Sequence, residues 1–117
     1  MTGFIIFFVL IGLLLVAVAI PLIRGKIKPN SWYGFRVRAT LDNPDVWYPV
    51  NAYAGKRLLA LGVVSIVFSV LIPLIWPSIT LDAYAIAVTV IWIGGMLLIL
   101  IVGMRYANAL SAKTDKR

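Results

Sequence analysis

The chain has 117 residues, 62% of them hydrophobic and 13% charged, with a mean hydropathy of +1.02, which is too apolar for a water-soluble domain of this size and places it in a bilayer. Cysteine, histidine and glutamate are absent, and the four acids are Asp42, Asp45, Asp82 and Asp115. That excludes thiol chemistry, disulfides, imidazole acid–base work and the usual transition-metal sites, so neither a metal nor a cofactor is expected. The net charge of +7 is carried by loops and tail around apolar runs, the distribution of a membrane protein, and no nucleic-acid partner is expected.

The first element is an uncharged run from Phe4 to Ile23, 20 residues that cover about 30 Å as a helix, one hydrocarbon core. Ala17-Val-Ala19 resembles a signal-peptidase site, but Met1-Thr2-Gly3 has no basic side chain and the charges follow the run at Arg24, Lys26 and Lys28, so an uncleaved span is expected. A second span covers 58–76 and a third 83–104, with 19 and 22 residues. Between them Pro77 to Leu81 permits only a tight reversal, which makes an antiparallel hairpin with Asp82 as the expected N-cap of the third helix. Without repeats or linkers, the chain reads as one membrane domain over 1–117, with a loop at 24–57.

Arg24, Lys26, Lys28, Arg36, Arg38, Lys56 and Arg57 lie in or beside that loop, and Arg105, Lys113, Lys116 and Arg117 lie in the tail, which accounts for all 11 basic residues. The turn at 76–82 has none. The positive-inside rule therefore places loop and C-terminus in the cytoplasm and the N-terminus outside. The expected fold is an all-α membrane protein of three transmembrane helices, N-out and C-in, with a structured basic-aromatic cytoplasmic loop between helices 1 and 2.

Small residues offer contact stripes, because helices in lipid associate where backbones can approach closely. The second helix has Gly55, Gly62, Ser65 and Ser69 along one side, and the third has Ala87, Gly94, Gly95 and Gly103. Packing of the hairpin on itself is the expected use, with a homo-oligomer contact as the alternative. Trp76, Tyr84 and Tyr106 read as anchors at the two membrane interfaces.

The loop KPNSWYGFRVRATLDN, 28–43, interleaves Lys28, Arg36 and Arg38 with Trp32, Tyr33 and Phe35. Any cytoplasmic loop could present that mixture to anionic headgroups. Its order is more specific: Pro29-Asn30 signals a turn, Gly34 frees the backbone, and Arg36 and Arg38 share a face if the segment is extended, where two guanidiniums can grip a carboxylate or phosphate. A helix signal follows, with Asn43 as N-cap, Pro44 at the first helical position and Asp45 at the positive end of the dipole. Trp47, Asn51 and Gly55 then recur on one face. A helix from Pro44 to Trp76 exceeds one bilayer core, so its first turns belong to the cytoplasmic interface, with a bend expected at Pro49.

Pro29-Asn30, Tyr33-Gly34-Phe35-Arg36, Thr40-Leu41, Asn43, Trp47, Asn51 and Gly55 together resemble the signature of the SdpI family of small bacterial membrane proteins. The motif covers 28–56, about a quarter of the chain, and the flanking layout of spans also agrees. Val37 stands where the family pattern leads one to expect threonine, and Pro49 is unusual between the tryptophan and asparagine positions. The resemblance implies a non-enzymatic protein of the bacterial plasma membrane that protects a producing cell against a membrane-active peptide toxin, or reports the toxin to a cytoplasmic regulator. The expected site is the motif residues Asn30, Tyr33, Gly34, Phe35, Arg36, Thr40, Asn43, Trp47, Asn51 and Gly55, with Arg38 added as the partner of Arg36 on the extended face. Within it Arg36 would grip an anion or carbonyl, Asn51 would link loop to helix, and Tyr33 and Trp47 would form a packed hinge.

Membrane lipids are the other expected partner. The alternative function is binding of an anionic lipid headgroup or small anion by Arg36, Arg38 and Lys56, or service as a transporter-associated subunit, although the spans carry no midplane ionisable residue. A membrane enzyme would have to use Asp42 or Asp45 as base, and neither lies beside a convincing nucleophile.

Overall fold

The computed structural model describes residues 1–115; Lys116 and Arg117, counted above among the basic tail residues, lie outside the described residues. Its helices are α1 (Thr2–Ile23), α2 (Arg38–Leu41), α3 (Pro44–Ile75) and α4 (Leu81–Asp115). No strand occurs among the described residues. Helices α1, α3 and α4 are each long and apolar enough to cross a membrane, so the all-α, three-span fold expected from the sequence is the fold found.

Two of the spans outrun their apolar cores. Helix α3 has 32 residues and α4 has 35, about 48 and 52 Å at the usual rise, in a molecule 59 Å long and 23 by 20 Å across. The segment after Met104, read from the sequence as a tail, is therefore helix as far as Asp115. No glycine or proline follows Gly103 to break it, and Ala107 and Leu110 pack with Val46 and Val50 at the start of α3. These extra turns of α3 and α4, with α2, form a small head at the loop end of the bundle.

Helix starts follow local capping chemistry. The Asn43 side-chain oxygen accepts from the Asp45 N–H at 2.9 Å, with Pro44 at the first helical position. Pro49 leaves α3 unbroken, and the carbonyl it cannot bond, that of Asp45, lies in the exposed first turn where water is available. At α4 the cap is Thr80 and not Asp82. The Thr80 hydroxyl accepts from Ala83 N–H at 3.2 Å and its carbonyl from Tyr84 N–H at 3.0 Å, which leaves Asp82 inside the first turn, where its charge still favours the helix dipole.

The two glycines of the α3 stripe, Gly55 and Gly62, serve α1, which corrects the expectation that the stripe would pack the α3–α4 hairpin. A Cβ on Gly62 would stand 2.8 Å from the Gly12 carbonyl oxygen and 2.9 Å from Val16. One on Gly55 would stand 3.1 Å from the Ala19 carbonyl oxygen. Backbones thus touch where α1 crosses α3, and that pair forms the most extensive interface. Helix α4 meets its neighbours through side chains: Leu61 lies over Gly95 and the Phe35 ring over Gly103, while Gly94 faces open space.

Polar groups inside the spans are matched locally. Ser65 and Ser69 hydroxyls donate to the Leu61 and Ser65 carbonyls at 2.7 and 2.6 Å. Pro73 has no N–H to offer the Ser69 carbonyl four residues earlier, and the Tyr84 hydroxyl donates to that carbonyl at 2.9 Å. Tyr84 is fully buried, so it fastens α4 to α3 and is no interface anchor; Trp76, 57% exposed, fits that role. The Phe8 ring of α1 completes this end, 5.6 Å from Tyr84 and 5.3 Å from Trp92.

Gly62→Ala is expected to destabilise the bundle by about 1–3 kcal/mol, the usual cost of overpacking. Gly94→Ala, whose methyl meets nothing within 4 Å, should leave stability unchanged or slightly raised. Reversible unfolding in detergent micelles measures both.

Candidate functional site

Helix α1 ends in a Schellman motif. Gly25 adopts φ +66°, its N–H donates to the Leu22 carbonyl at 3.3 Å and the Lys26 N–H to that of Pro21 at 3.0 Å. The chain then turns back across the bundle end. Asn30 holds the turn that Pro29-Asn30 predicts: its side-chain oxygen accepts from the N–H groups of Trp32 (2.9 Å) and Tyr33 (2.6 Å), and its amide donates to the Lys28 carbonyl at 2.8 Å.

From that turn Tyr33 reaches into α1, where its hydroxyl donates to the Val18 carbonyl at 2.5 Å. Burial raises the Tyr33 pKa above the ordinary phenol value, which keeps the hydroxyl a donor. Gly34 has φ +107° and could not carry a side chain for a second reason, since a Cβ would lie 2.7 Å from the Asn51 side-chain oxygen. That oxygen accepts from the Phe35 N–H at 2.5 Å, while the Asn51 amide donates to the Trp47 carbonyl at 2.9 Å and the Phe35 carbonyl at 3.4 Å. One side chain of α3 thereby satisfies both backbone groups of Phe35.

Thr40 locks the next corner. It is fully buried; its oxygen accepts from the Val37 N–H at 3.0 Å and its hydroxyl lies 2.9 Å from the carbonyls of both Phe35 and Val37. Trp47, also fully buried, donates its indole N–H to the Ile27 carbonyl at 2.8 Å. Asn43, besides capping α3, places its amide 3.4 Å from the Thr114 hydroxyl of α4. Gly55 lies against α1 one turn beyond Asn51, so the Trp47, Asn51, Gly55 face is the buried one.

The two arginines do not join in a common grip. Arg36 donates to the Ser31 carbonyl. Arg38 opens α2 and pairs with Asp42 at 3.7 Å across an exposed surface. The extended geometry that would align them ends at Val37, where α2 begins because Thr40 caps it. Lys56 is exposed on α3 and has no carboxylate partner among the described residues.

Sequence reasoning missed three participants. Gly25 was legible as a glycine just past the end of a span; the Val18 and Ile27 carbonyls were not, because backbone acceptors leave no trace in residue identity. Between α1, α3 and α4 a cavity of about 180 Å³ remains, walled by Val18, Leu22, Leu58, Met96 and Ile99 and closed on the loop side by Tyr33 to Phe35. It suits an aliphatic or aromatic side chain. No group of three or more metal-binding side chains occurs among the described residues.

A three-span helical protein with a short loop fastened across the bundle end is the class this geometry defines. The model of the SdpI/YfhL protein family matches residues 26–111, and the chain belongs to that family. The match takes in the fastened loop from Lys26, all of α3 and α4 as far as Ser111, and leaves out α1. No curated protein and no solved structure matches the chain.

Asn51→Ala leaves the Phe35 N–H without its partner while the Thr40 hydroxyl still serves the Phe35 carbonyl, a loss of about 1–3 kcal/mol for a buried group. Trypsin cleavage after Arg36 and Arg38 in micelles should accelerate about tenfold, while Asp42→Asn, which loses only an exposed ion pair, should leave the rate unchanged.

Proposed function

We propose that this chain is a non-enzymatic protein of the bacterial cytoplasmic membrane that binds a membrane-active peptide toxin and so protects the cell or reports the toxin to a cytoplasmic regulator. In this reading the loop and the C-terminus face the cytoplasm and the N-terminus faces outward. Membership of the SdpI/YfhL family supports it, as does the gathering of exposed Arg24, Lys26, Lys28, Arg36 and Arg38 at the loop end, with no basic residue in the opposite turn.

The observation that carries the reading is the cavity between the three spans, because its loop-side wall is Tyr33, Gly34 and Phe35. A peptide side chain entering from the lipid would press on residues whose backbone Asn51 holds. Displacing Phe35 loads the bonds that seat the loop, and Trp32, 77% exposed, together with Arg36 and Arg38, forms the surface a regulator would meet. The anion-grip reading has less support, since Arg36 and Arg38 are engaged with different partners.

In intact cells an introduced Ser31→Cys should resist an impermeant thiol reagent and react once the membrane is opened; labelling of intact cells would reverse the orientation. Expression of the parent chain should raise survival of a bacterium challenged with a membrane-permeabilising peptide. Leu58→Trp, which fills the cavity, should abolish that gain, and Leu74→Trp on the exposed lipid face should keep it. Equal survival with and without the parent chain would end the toxin reading.

A further inference from the structure

A second groove runs between α3 and α4 on the face away from α1, a space of about 300 Å³ lined by Ala60, Leu61, Val64, Gly95, Leu98 and Val102, with Arg57 at its loop end. It opens sideways among exposed apolar residues, Val63, Val64, Leu98 and Ile101, so whatever occupies it comes from the lipid phase. The absence of a Cβ at Gly95 lets Leu61 sink against α4, and this gives the groove its depth. From Arg57 to Val64 the groove follows α3 for about 10 Å.

Arg57 is held in place at the mouth. Its guanidinium carbon lies 3.5 Å from the centre of the Tyr53 ring, which itself stacks on Tyr106 of α4 at 4.5 Å and 15°. One guanidinium nitrogen donates to the Tyr53 carbonyl at 3.3 Å, so the side chain is drawn back along α3 toward the loop end, away from the apolar core. Tyr53 precedes Gly55, which lies against Leu22 and Ile23 at the end of α1; the charge therefore sits at the level of the membrane interface. Among the described residues the only ion pair is that of Arg38 with Asp42, and the remaining Arg57 donors have no carboxylate to meet. An apolar groove ending in a fixed, unneutralised guanidinium at headgroup depth has the shape and charge of one ligand class.

We infer that this groove binds a single anionic phospholipid, with an acyl chain along Ala60, Val64 and Leu98 and the phosphate on Arg57. The site opens on another face of the bundle from the cavity beside Tyr33, with Ile99 as a wall between them, and does not depend on the toxin reading or on which side of the membrane the loop faces. The Tyr53–Tyr106 stack joins α3 to α4 beside the headgroup, so a bound lipid ties α4 to α3 at the loop end of the bundle.

The test is native mass spectrometry of the full chain released from micelles containing equimolar phosphatidylglycerol and phosphatidylcholine of identical acyl chains. The parent chain should retain one phosphatidylglycerol. Arg57→Gln should reduce that preference about fivefold, the size one basic side chain contributes at an anionic surface, while Arg38→Gln leaves it unchanged. Ala60→Trp, at a surface position that disturbs no packing, should displace the lipid, and inorganic phosphate alone should not. Equal retention of the two lipids, or an unchanged preference in Arg57→Gln, would overturn the site. Recovery of a dimer that Ala60→Trp dissociates without loss of lipid would assign the groove to a second copy of the chain instead.

Discussion

A loop folded across the end of a helix bundle must find partners inside the protein for the backbone it buries, and in this protein the Asn51 carboxamide supplies them at Phe35 and Trp47. It takes the N–H of Phe35 and gives a donor to the Phe35 and Trp47 carbonyls. With Phe35 fixed, its ring reaches Gly103 of α4, and two residues earlier the Tyr33 hydroxyl reaches Val18 of α1. One amide on α3 therefore sets the position of a loop that touches all three spans. The lack of room for a side chain at Gly34 follows from the same contact, since the amide oxygen occupies the space a Cβ would need.

The same accounting governs the other end. Pro73 frees the Ser69 carbonyl in the middle of apolar surroundings, and Tyr84 donates to it. Trp92 is the exception: its indole nitrogen is buried without a hydrogen-bond partner among the described residues. The ring stands at 76° to Phe8 with centroids 5.3 Å apart, an edge-to-face arrangement in which the electropositive edge of one ring meets the face of another.

Much of this was legible in the sequence, and the part that was not has a physical reason. Apolar length disclosed three spans, Asn43-Pro44-Asp45 disclosed the start of α3, and the four-residue recurrence of Trp47, Asn51 and Gly55 disclosed a buried face. Spacing tells which residues share a face but not which helix covers it, so the Gly55, Gly62, Ser65, Ser69 stripe was assigned to α4 when its two glycines meet α1. Asp82 and Thr80 are both good caps, and only the backbone geometry chooses between them. For Arg36 and Arg38 the inference rested on an extended segment, and Thr40 ends that segment by capping α2. The acceptors of Tyr33 and Trp47 are main-chain carbonyls, which no pattern of side chains can reveal.

Backbone contact is concentrated between α1 and α3, where Gly12, Gly55 and Gly62 remove the side chains that would hold the helices apart. Helix α4 is the peripheral member: in its most apolar stretch 11% of residues are buried, against 22% in α3. It is attached by the Leu61 side chain, the Phe35 ring, the Tyr84 hydroxyl and the Tyr53–Tyr106 stack. Separating α4 from the others therefore breaks mainly side-chain contacts and costs less than parting α1 from α3, where the close van der Waals packing of two backbones would be lost. At the loop end Phe35, Val37 and Ala39 of the loop also pack with Ala107 and Leu110 of α4. A displacement of α4 thus reaches the loop through the Phe35 ring, whose backbone Asn51 holds, and through α2, which also rests on α4.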